Sequence, residues 1–269
     1  MKVAILASGS AGNATLFSAQ GTSVLVDAGI GPRTLARKLG EIGADLPQAI
    51  IITHAHQDHV GHCLKLSKRL KIPVYASEAT SRCEALRGRE QVRVYDAREP
   101  FVIGALTIAP TPLPHDAAQV ALTFSDGAHK AGIVTDLGEV PPGLLPHLAG
   151  CQLLLIESNH DADLLQRGPY PAFLKRRIGS ARGHLSNAQT HALLQRLPCE
   201  TSAVVLMHLS TTNNRPELAL SSAMDALSGR KVQLSAASQD ELMVFDVAAL
   251  PPPPALRPRR PSQLVLFDL

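Results

Sequence analysis

The run Ala49-Ile50-Ile51-Ile52-Thr53 ends abruptly in His54-Ala55-His56-Gln57-Asp58-His59. A continuous apolar, β-branched run has no polar face and reads as a strand covered on both sides. The hexapeptide after it is its chemical opposite: imidazoles and a carboxylate crowded into six positions. Any fold for this chain must bury the strand and leave its carboxyl end open to a polar loop. The length of 269 residues allows one large domain or two small ones, and 45% hydrophobic residues can fill a substantial core.

Further strands are expected at Lys2–Ala7, Ser23–Val26, IPVYA, Val92–Tyr95, Phe101–Ile103, Leu106–Ala109, Ala121–Ser125, Lys130–Thr135, Leu153–Glu157 and 203–207. Helices are expected over Pro32–Gly40, Val60–Leu70, parts of Asp161–Ile178, Asn187–Leu197 and Pro216–Leu227. VQLSA and ELMVFDV read as a closing strand pair. The early strands form meanders and the later ones alternate with helices. This mixture fits two packed sheets with helices outside better than a doubly wound parallel sheet. Proline density rises at Pro251–Pro254. The expected organisation is a domain over 1–250, a Pro/Arg-rich linker over 251–262 and a terminal peptide over 263–269.

No apolar run approaches the ~20 residues of a membrane span. MKVAILASGS lacks the basic and apolar regions of a signal peptide and reads as a first strand. The four cysteines are far apart, with no CxxC pair, and read as buried thiols of a cytoplasmic protein.

Imidazole and carboxylate groups suit zinc and neighbouring transition metals. In an extended loop His54 and His56 point the same way, and a turn at Gln57 brings Asp58 and His59 to a second centre. His115, Asp136 and His208 each stand where a strand gives way to a loop. The seven residues together supply enough ligands for two metals that share one carboxylate. A closed structural zinc site needs only four ligands, which argues against a purely metal-stabilised binding module.

These residues resemble a known superfamily. HAHQDH is similar to the HxHxDH signature of metallo-β-lactamase-fold hydrolases, and His115, Asp136 and His208 fall in the order of that fold's later ligand motifs. The resemblance covers nearly all of residues 1–247 and implies an α/β, αββα four-layer sandwich. It implies that His54, His56 and His115 hold a first metal, that Asp58, His59 and His208 hold a second, and that Asp136 bridges them. Asp27, in VDAG, would support the ligands from behind, and Glu157 and His160 are given supporting roles. SGSAGNAT, ESNHD, PYPAFLKRRI, GHLSN and HLSTTNNRPELA resemble the bacterial WalJ/YycJ-type branch, described as 5′-to-3′ DNA exonucleases. GHLSN also resembles the catalytic histidine motif of tRNA-3′-processing enzymes of this fold, which implies that His184 touches the scissile phosphate or the leaving oxygen.

The expected chemistry is phosphodiester hydrolysis with two divalent ions, zinc or manganese, with Asp58 orienting water or accepting its proton and His184 as general acid. Lys175, Arg176, Arg177 and Arg182 are expected to hold flanking phosphates and Ser186 and Asn187 to contact substrate, while Asn213 and Asn214 read either as contacts to sugar or phosphate or as a helix-capping loop before Pro216. A second basic stretch, Lys65, Lys68, Arg69 and Lys71, can also neutralise phosphates. Aromatics make up 3% of the chain and there is no tryptophan, so a base-stacking platform is not evident and affinity should fall steeply with salt. The alternatives are a hydrolase of the same scaffold acting on RNA, or on a small ester, thioester or lactam. LKRRI and GHLSN suit a polyanion better than a neutral lactam.

The chain ends in PPPPALRPRRPSQLVLFDL. The twelve residues Pro251–Ser262 have polyproline II character, with a reach of about 35 Å. The peptide they present, Gln263-Leu264-Val265-Leu266-Phe267, resembles the QLxLF motif by which bacterial DNA enzymes dock on the polymerase sliding clamp. The resemblance implies hydrogen bonds from the Gln263 amide and anchoring by Leu264, Leu266 and Phe267, and a protein located at the nucleoid.

Overall fold

The computed structural model describes residues 1–251. Its strands are β1 (Lys2–Ala7), β2 (Ala14–Ala19), β3 (Thr22–Val26), β4 (Ala49–Ile52), β5 (Val74–Ser77), β6 (Val92–Tyr95), β7 (Phe101–Ile103), β8 (Leu106–Leu113), β9 (Gln119–Ser125), β10 (Lys130–Val134), β11 (Leu153–Glu157), β12 (Ala203–Met207), β13 (Gln233–Ala236) and β14 (Met243–Asp246). Its helices are α1 (Pro32–Glu41), α2 (Gln57–Val60), α3 (Cys63–Leu70), α4 (Glu78–Ser81), α5 (Leu144–His147), α6 (Ala162–Arg167), α7 (Ala172–Ile178), α8 (Asn187–Leu194) and α9 (Pro216–Ala226).

The strands form two seven-stranded sheets, ordered β14-β1-β2-β3-β4-β5-β6 and β13-β12-β11-β10-β9-β8-β7. Each sheet is antiparallel in one half and parallel in the other: β3 to β6 run parallel, as do β10 to β13. Parallel neighbours need crossovers, and the helices that make them cover the outer faces.

The isoleucine run shows how the layers form. Side chains alternate across a strand. Ile51 faces the other sheet and joins Phe17, Val26, Phe124, Ile133, Leu155 and Val205 in the central core. Ile50 and Ile52 face outward, with Leu35 and Leu39 of α1 and Leu66 of α3. The outer face of the second sheet is covered in the same way, Leu154, Ile156, Val204 and Leu206 meeting Leu193 and Leu194 of α8 and Ala219 and Ala223 of α9. The result is an αββα sandwich. Phe17 and Phe124 stack between the sheets with ring centroids 3.9 Å apart.

Three expectations need correction. VQLSA and ELMVFDV do not pair: β13 lies beside β12 in one sheet, and β14 lies beside β1 in the other. Both have open edges to fill, and the turn between them carries the chain from one sheet to the other. The strand β2 was not anticipated, because SGSAGNAT reads as a turn up to the point where Ala14 begins pairing with β1. The expected helix over Val60–Leu70 is broken at Gly61–His62 into α2 and α3. The four cysteines are free, and burial pushes the Cys63 and Cys151 thiols up to about 12, so both remain protonated. Among the described residues no helix is long and apolar enough to cross a membrane. Residues 252–269, with the expected docking peptide, lie outside the described residues.

The stacked pair at the centre gives a stability test. Phe124→Ala should cost about 3–5 kcal/mol, read as a lower urea midpoint at an unchanged m-value.

Candidate metal centre and active site

Three strands of the sandwich end in the same unusual way. Asp27 follows β3, Asp136 lies just past β10 and His208 follows β12, and their φ angles are 61°, 58° and 55°. Left-handed backbone is disfavoured for residues with a side chain and collects at functional sites. The turn swings each side chain back over the carboxyl edge of its sheet. The HAHQDH loop leaves β4 at the same edge. Its path is fixed by close packing, since a Cβ on Gly29 would lie 1.9 Å from the Asp58 carbonyl oxygen. Asn13 N–H donates to that same carbonyl (2.8 Å) and Ala28 N–H to the His59 carbonyl (2.7 Å).

The expected ligands converge. Ligand atoms of His54, His56 and His115 lie within 4.8 Å of one another, and so do those of Asp58, His59 and His208. Asp136 stands between the two groups, within the same distance of His54 and His59. Asp136 Oδ2 is 3.3 Å from His59 Nε2, and Asp136 Oδ1 is 3.2 Å from His208 Nδ1. His56 Nδ1 is 3.3 Å from His115 Nε2. Asp58 Oδ2 accepts from Asn13 Nδ2 (3.1 Å) and lies 3.3 and 3.5 Å from His59 and His208 Nε2.

Charge separates the two halves. Burial before anything else holds His54, His56 and His115 below the ordinary imidazole range, so they are neutral and present lone pairs. His59 and His208 behave oppositely. Their burial opposes charge, but Asp27 and Asp136 raise His59, and Asp136, Asp58 and Glu157 lift His208 to about 10. Buried carboxylates favour positive charge beside them, which is why they raise these two imidazoles and why a divalent cation suits the same place. Three buried atoms aimed into the cluster, His54 Nε2, Asp136 Oδ2 and His208 Nε2, have no hydrogen-bond partner among the described residues. Orphaned N and O donors at such close range fit divalent metal binding.

Carboxylates behind the ring set its orientation. Asp27 Oδ2 accepts from His59 Nδ1 at 2.7 Å, while Oδ1 accepts from the Thr53 N–H and hydroxyl. Glu157 Oε1 accepts from the Nδ1 of both His184 and His208, each at 2.9 Å. Its Oε2 accepts from the backbone N–H groups of Leu137 and Leu185. Burial would raise this carboxyl, but His184 and His208 hold it well below the usual range. His184 is in turn held above the ordinary imidazole value, Glu157 and Asp136 outweighing its burial. GHLSN reaches this position because Gly183 packs against the end of α7, where a Cβ would lie 2.1 Å from the Ile178 carbonyl oxygen. His160 is buried in support: its backbone bridges to Ser186, and burial lowers its ring to about 4.

A cavity of about 220 Å³ opens over the cluster, lined by His56, Asp58, Asp136, His184, His208 and Arg177, with Tyr170, Leu174 and Ile178 as an apolar wall. Of the expected phosphate-binding residues only Arg177 lines it. Lys175 donates to the Gln166 carbonyl, Arg182 to the His115 carbonyl, and Arg176 is exposed on α7. The expectation that Ser186, Asn187, Asn213 and Asn214 contact substrate does not suit their placement. Ser186 caps α8 in a box with Gln189. Asn187 and Asn214 bond to each other and to Ser158, and Asn213 is buried beside them. Asn214 Oδ1 also accepts from the Arg215 N–H in the loop before α9.

Asp116 was not anticipated. Its Oδ1 lies 3.1 Å from His56 Nε2, and its Oδ2 accepts from Arg177 Nε at 2.6 Å. The signal was its position beside His115. Asn13, Ser10 and Tyr170 were also missed, because SGSAGN and GPY read locally as turns.

The β-lactamase superfamily domain profile matches residues 22–209. The chain is 33% identical over 231 residues to exodeoxyribonuclease YycJ of Bacillus anthracis, covering 83% of this chain and 88% of that one. It is 33% identical over 229 residues to exodeoxyribonuclease WalJ of Streptococcus pneumoniae, covering 81% and 85%. The fold resembles that of the metallo-β-lactamase-fold protein YhfI of Bacillus subtilis, with a TM-score of 0.72 at 20% identity over 91% of this chain and 99% of that one. The short form of human tRNase Z gives 0.59 at 16% identity, covering 92% and 99%. With its αββα sandwich and histidine-aspartate cluster, the chain belongs to the metallo-β-lactamase fold family.

Proposed function

We propose that this protein is a dinuclear metal-dependent phosphodiesterase, a 5′-to-3′ DNA exonuclease that acts in DNA repair, including mismatch repair. The observation that carries this reading is the coupling of His184 to the ligand cluster through the buried carboxylate of Glu157. An imidazole held ready to carry a proton beside a set of metal-ligating side chains suits phosphodiester cleavage. The names of the two bacterial relatives support DNA as substrate, and the 5′-to-3′ direction follows from the resemblance of the motifs.

On this reading His54, His56 and His115 hold one ion, Asp58, His59 and His208 hold another, and Asp136 lies between them. When bound, such ions supply Lewis acidity to the phosphoryl oxygens and a water acidified toward neutral pH. The chain supplies the rest. Glu157 keeps one proton on Nδ1 of His184 and, with Asp136, favours the doubly protonated ring, whose Nε2–H delivers its proton to the departing sugar oxygen and returns the ring to neutral. Asp58 is held by Asn13 and accepts the proton of the attacking water. Arg177 places a guanidinium at the cavity wall for a non-bridging phosphate oxygen. Tyr170, Leu174 and Ile178 limit the access of bulk water. The terminal QLVLF peptide, tethered to this domain, would raise its effective concentration at DNA carrying the sliding clamp.

End-labelled DNA, blocked in turn at each end, should lose nucleotides from its 5′ end when the protein is loaded with zinc or manganese. No release from metal-loaded protein would defeat the reading. His184→Ala should lower turnover by about 10²–10⁴-fold with metal content intact, whereas Asp58→Ala should lose both turnover and metal, measured by elemental analysis. Arg177→Ala should raise KM and flatten the salt dependence of binding by about one phosphate contact. In fluorescence polarisation the last dozen residues should bind a purified bacterial sliding clamp, and Phe267→Ala should abolish binding.

A further inference from the structure

The basic stretch Lys65, Lys68, Arg69 and Lys71 plays no part in the metal centre or its cavity. The structure divides it. Lys65 and Arg69 stand one turn apart on α3 and line a cavity of about 450 Å³ with Arg33, Thr34 and His62. Lys68 and Lys71 line a different cavity, where Glu90 offsets their charge.

Three observations set the first cavity apart. Its charge is uncompensated, because no carboxylate lines it. The lysine and arginine ion pairs among the described residues are Arg37–Glu41, Arg82–Glu78 and Arg177–Asp116, so Arg33, Lys65 and Arg69 form none. Its place in the fold is the second. The cavity lies at the start of α1 and along α3, from His62 before its first turn to Arg69 in its last, and both helices follow loops at the carboxyl edge of the first sheet, the edge that carries HAHQDH. Its walls are continuous with the metal-site loop. His62 N–H donates to the Ala28 carbonyl, whose own N–H is bound to the His59 carbonyl, and Gly29 N–H is bound to Asn13. The third is the backbone at Gly31, where α1 begins with proline and carries no acidic residue in its first turn, so nothing there repels an anion.

We infer that this cavity is a second phosphate-binding subsite, in which Arg33, Lys65, Arg69 and His62 hold a phosphate of the polynucleotide outside the metal centre. The inference rests on the reading of the substrate as a polynucleotide. A strand that reaches both sites is gripped at two points along one edge of the sandwich. A preference for long over short substrates is the expected consequence, arising here rather than at the metals. A terminal phosphate monoester and an internal diester share the anionic oxygens that these cations recognise.

The test is a triple substitution, Arg33→Ala with Lys65→Ala and Arg69→Ala, in the full chain loaded with metal. All three side chains are exposed, so folding should be retained. The ratio of kcat/KM for a long oligonucleotide to that for a dinucleotide should fall about tenfold, and the slope of log affinity against log salt by about 2. Lys68→Ala with Lys71→Ala removes charge from the neighbouring cavity and should leave both quantities at the wild-type value. A loss confined to 5′-phosphorylated substrate assigns the cavity to the terminal phosphate, and a loss on both substrates assigns it to an internal one. A triple variant with unchanged length preference and salt slope, in a protein that degrades DNA, overturns the subsite alone. An equal loss in the Lys68/Lys71 variant also overturns it, by assigning the effect to general charge. A wild-type protein that degrades no DNA overturns the nuclease reading and the subsite with it.

Discussion

One carboxylate organises the second half of this molecule. Glu157 is fully buried and accepts four hydrogen bonds, two from imidazoles and two from backbone N–H groups. Its four partners come from three separate loops, those after β10 and β12 and the GHLSN turn. A buried charge without such partners would cost several kcal/mol, so the loops and the carboxylate stabilise one another. The same contacts settle which nitrogen of His184 and of His208 is free. Asp27 does the corresponding work in the first sheet, through Thr53 and His59.

The two sheets meet chemically at their carboxyl edges through these carboxylates. His208 N–H donates to Ser8 Oγ of the β1–β2 loop, and Asn13 of that loop holds Asp58. The left-handed turns at Asp27, Asp136 and His208 are the local cost of bringing side chains from different strands to one point. That strain is sustained because the strands beneath are locked in a core closed on both faces. The stacked Phe17 and Phe124 lie in the same core as Ile51, whose strand ends at the ligand loop.

The ligands were legible because they are local. Four of the seven fall within His54–His59, and His115, Asp136 and His208 each follow an apolar run that marks a strand end. Asp27 was legible only through resemblance. The polar residues beyond the ligands were harder. Asn187 and Asn214 can be read as substrate contacts when written as letters, yet they fill each other's hydrogen bonds in a buried network. Asp116 looks incidental, yet it joins His56 to Arg177. An amide or carboxylate carries no sign in the sequence of whether it faces water or another segment.

By itself, the sequence determined that a buried strand opens onto a metal-ligating loop, and that two helix-covered sheets surround it. Hydrophobic periodicity and ligand spacing are properties of neighbouring residues, so they survive in one dimension. Only the tertiary structure decided that β13 and β14 part to opposite sheets, that Glu157 serves two histidines at once, and that Lys65 and Arg69 face a different cavity from Lys68 and Lys71. Each of these depends on which distant segment packs alongside. Charge and hydrogen bonding between segments far apart in the chain are fixed by packing geometry, and no local pattern encodes it.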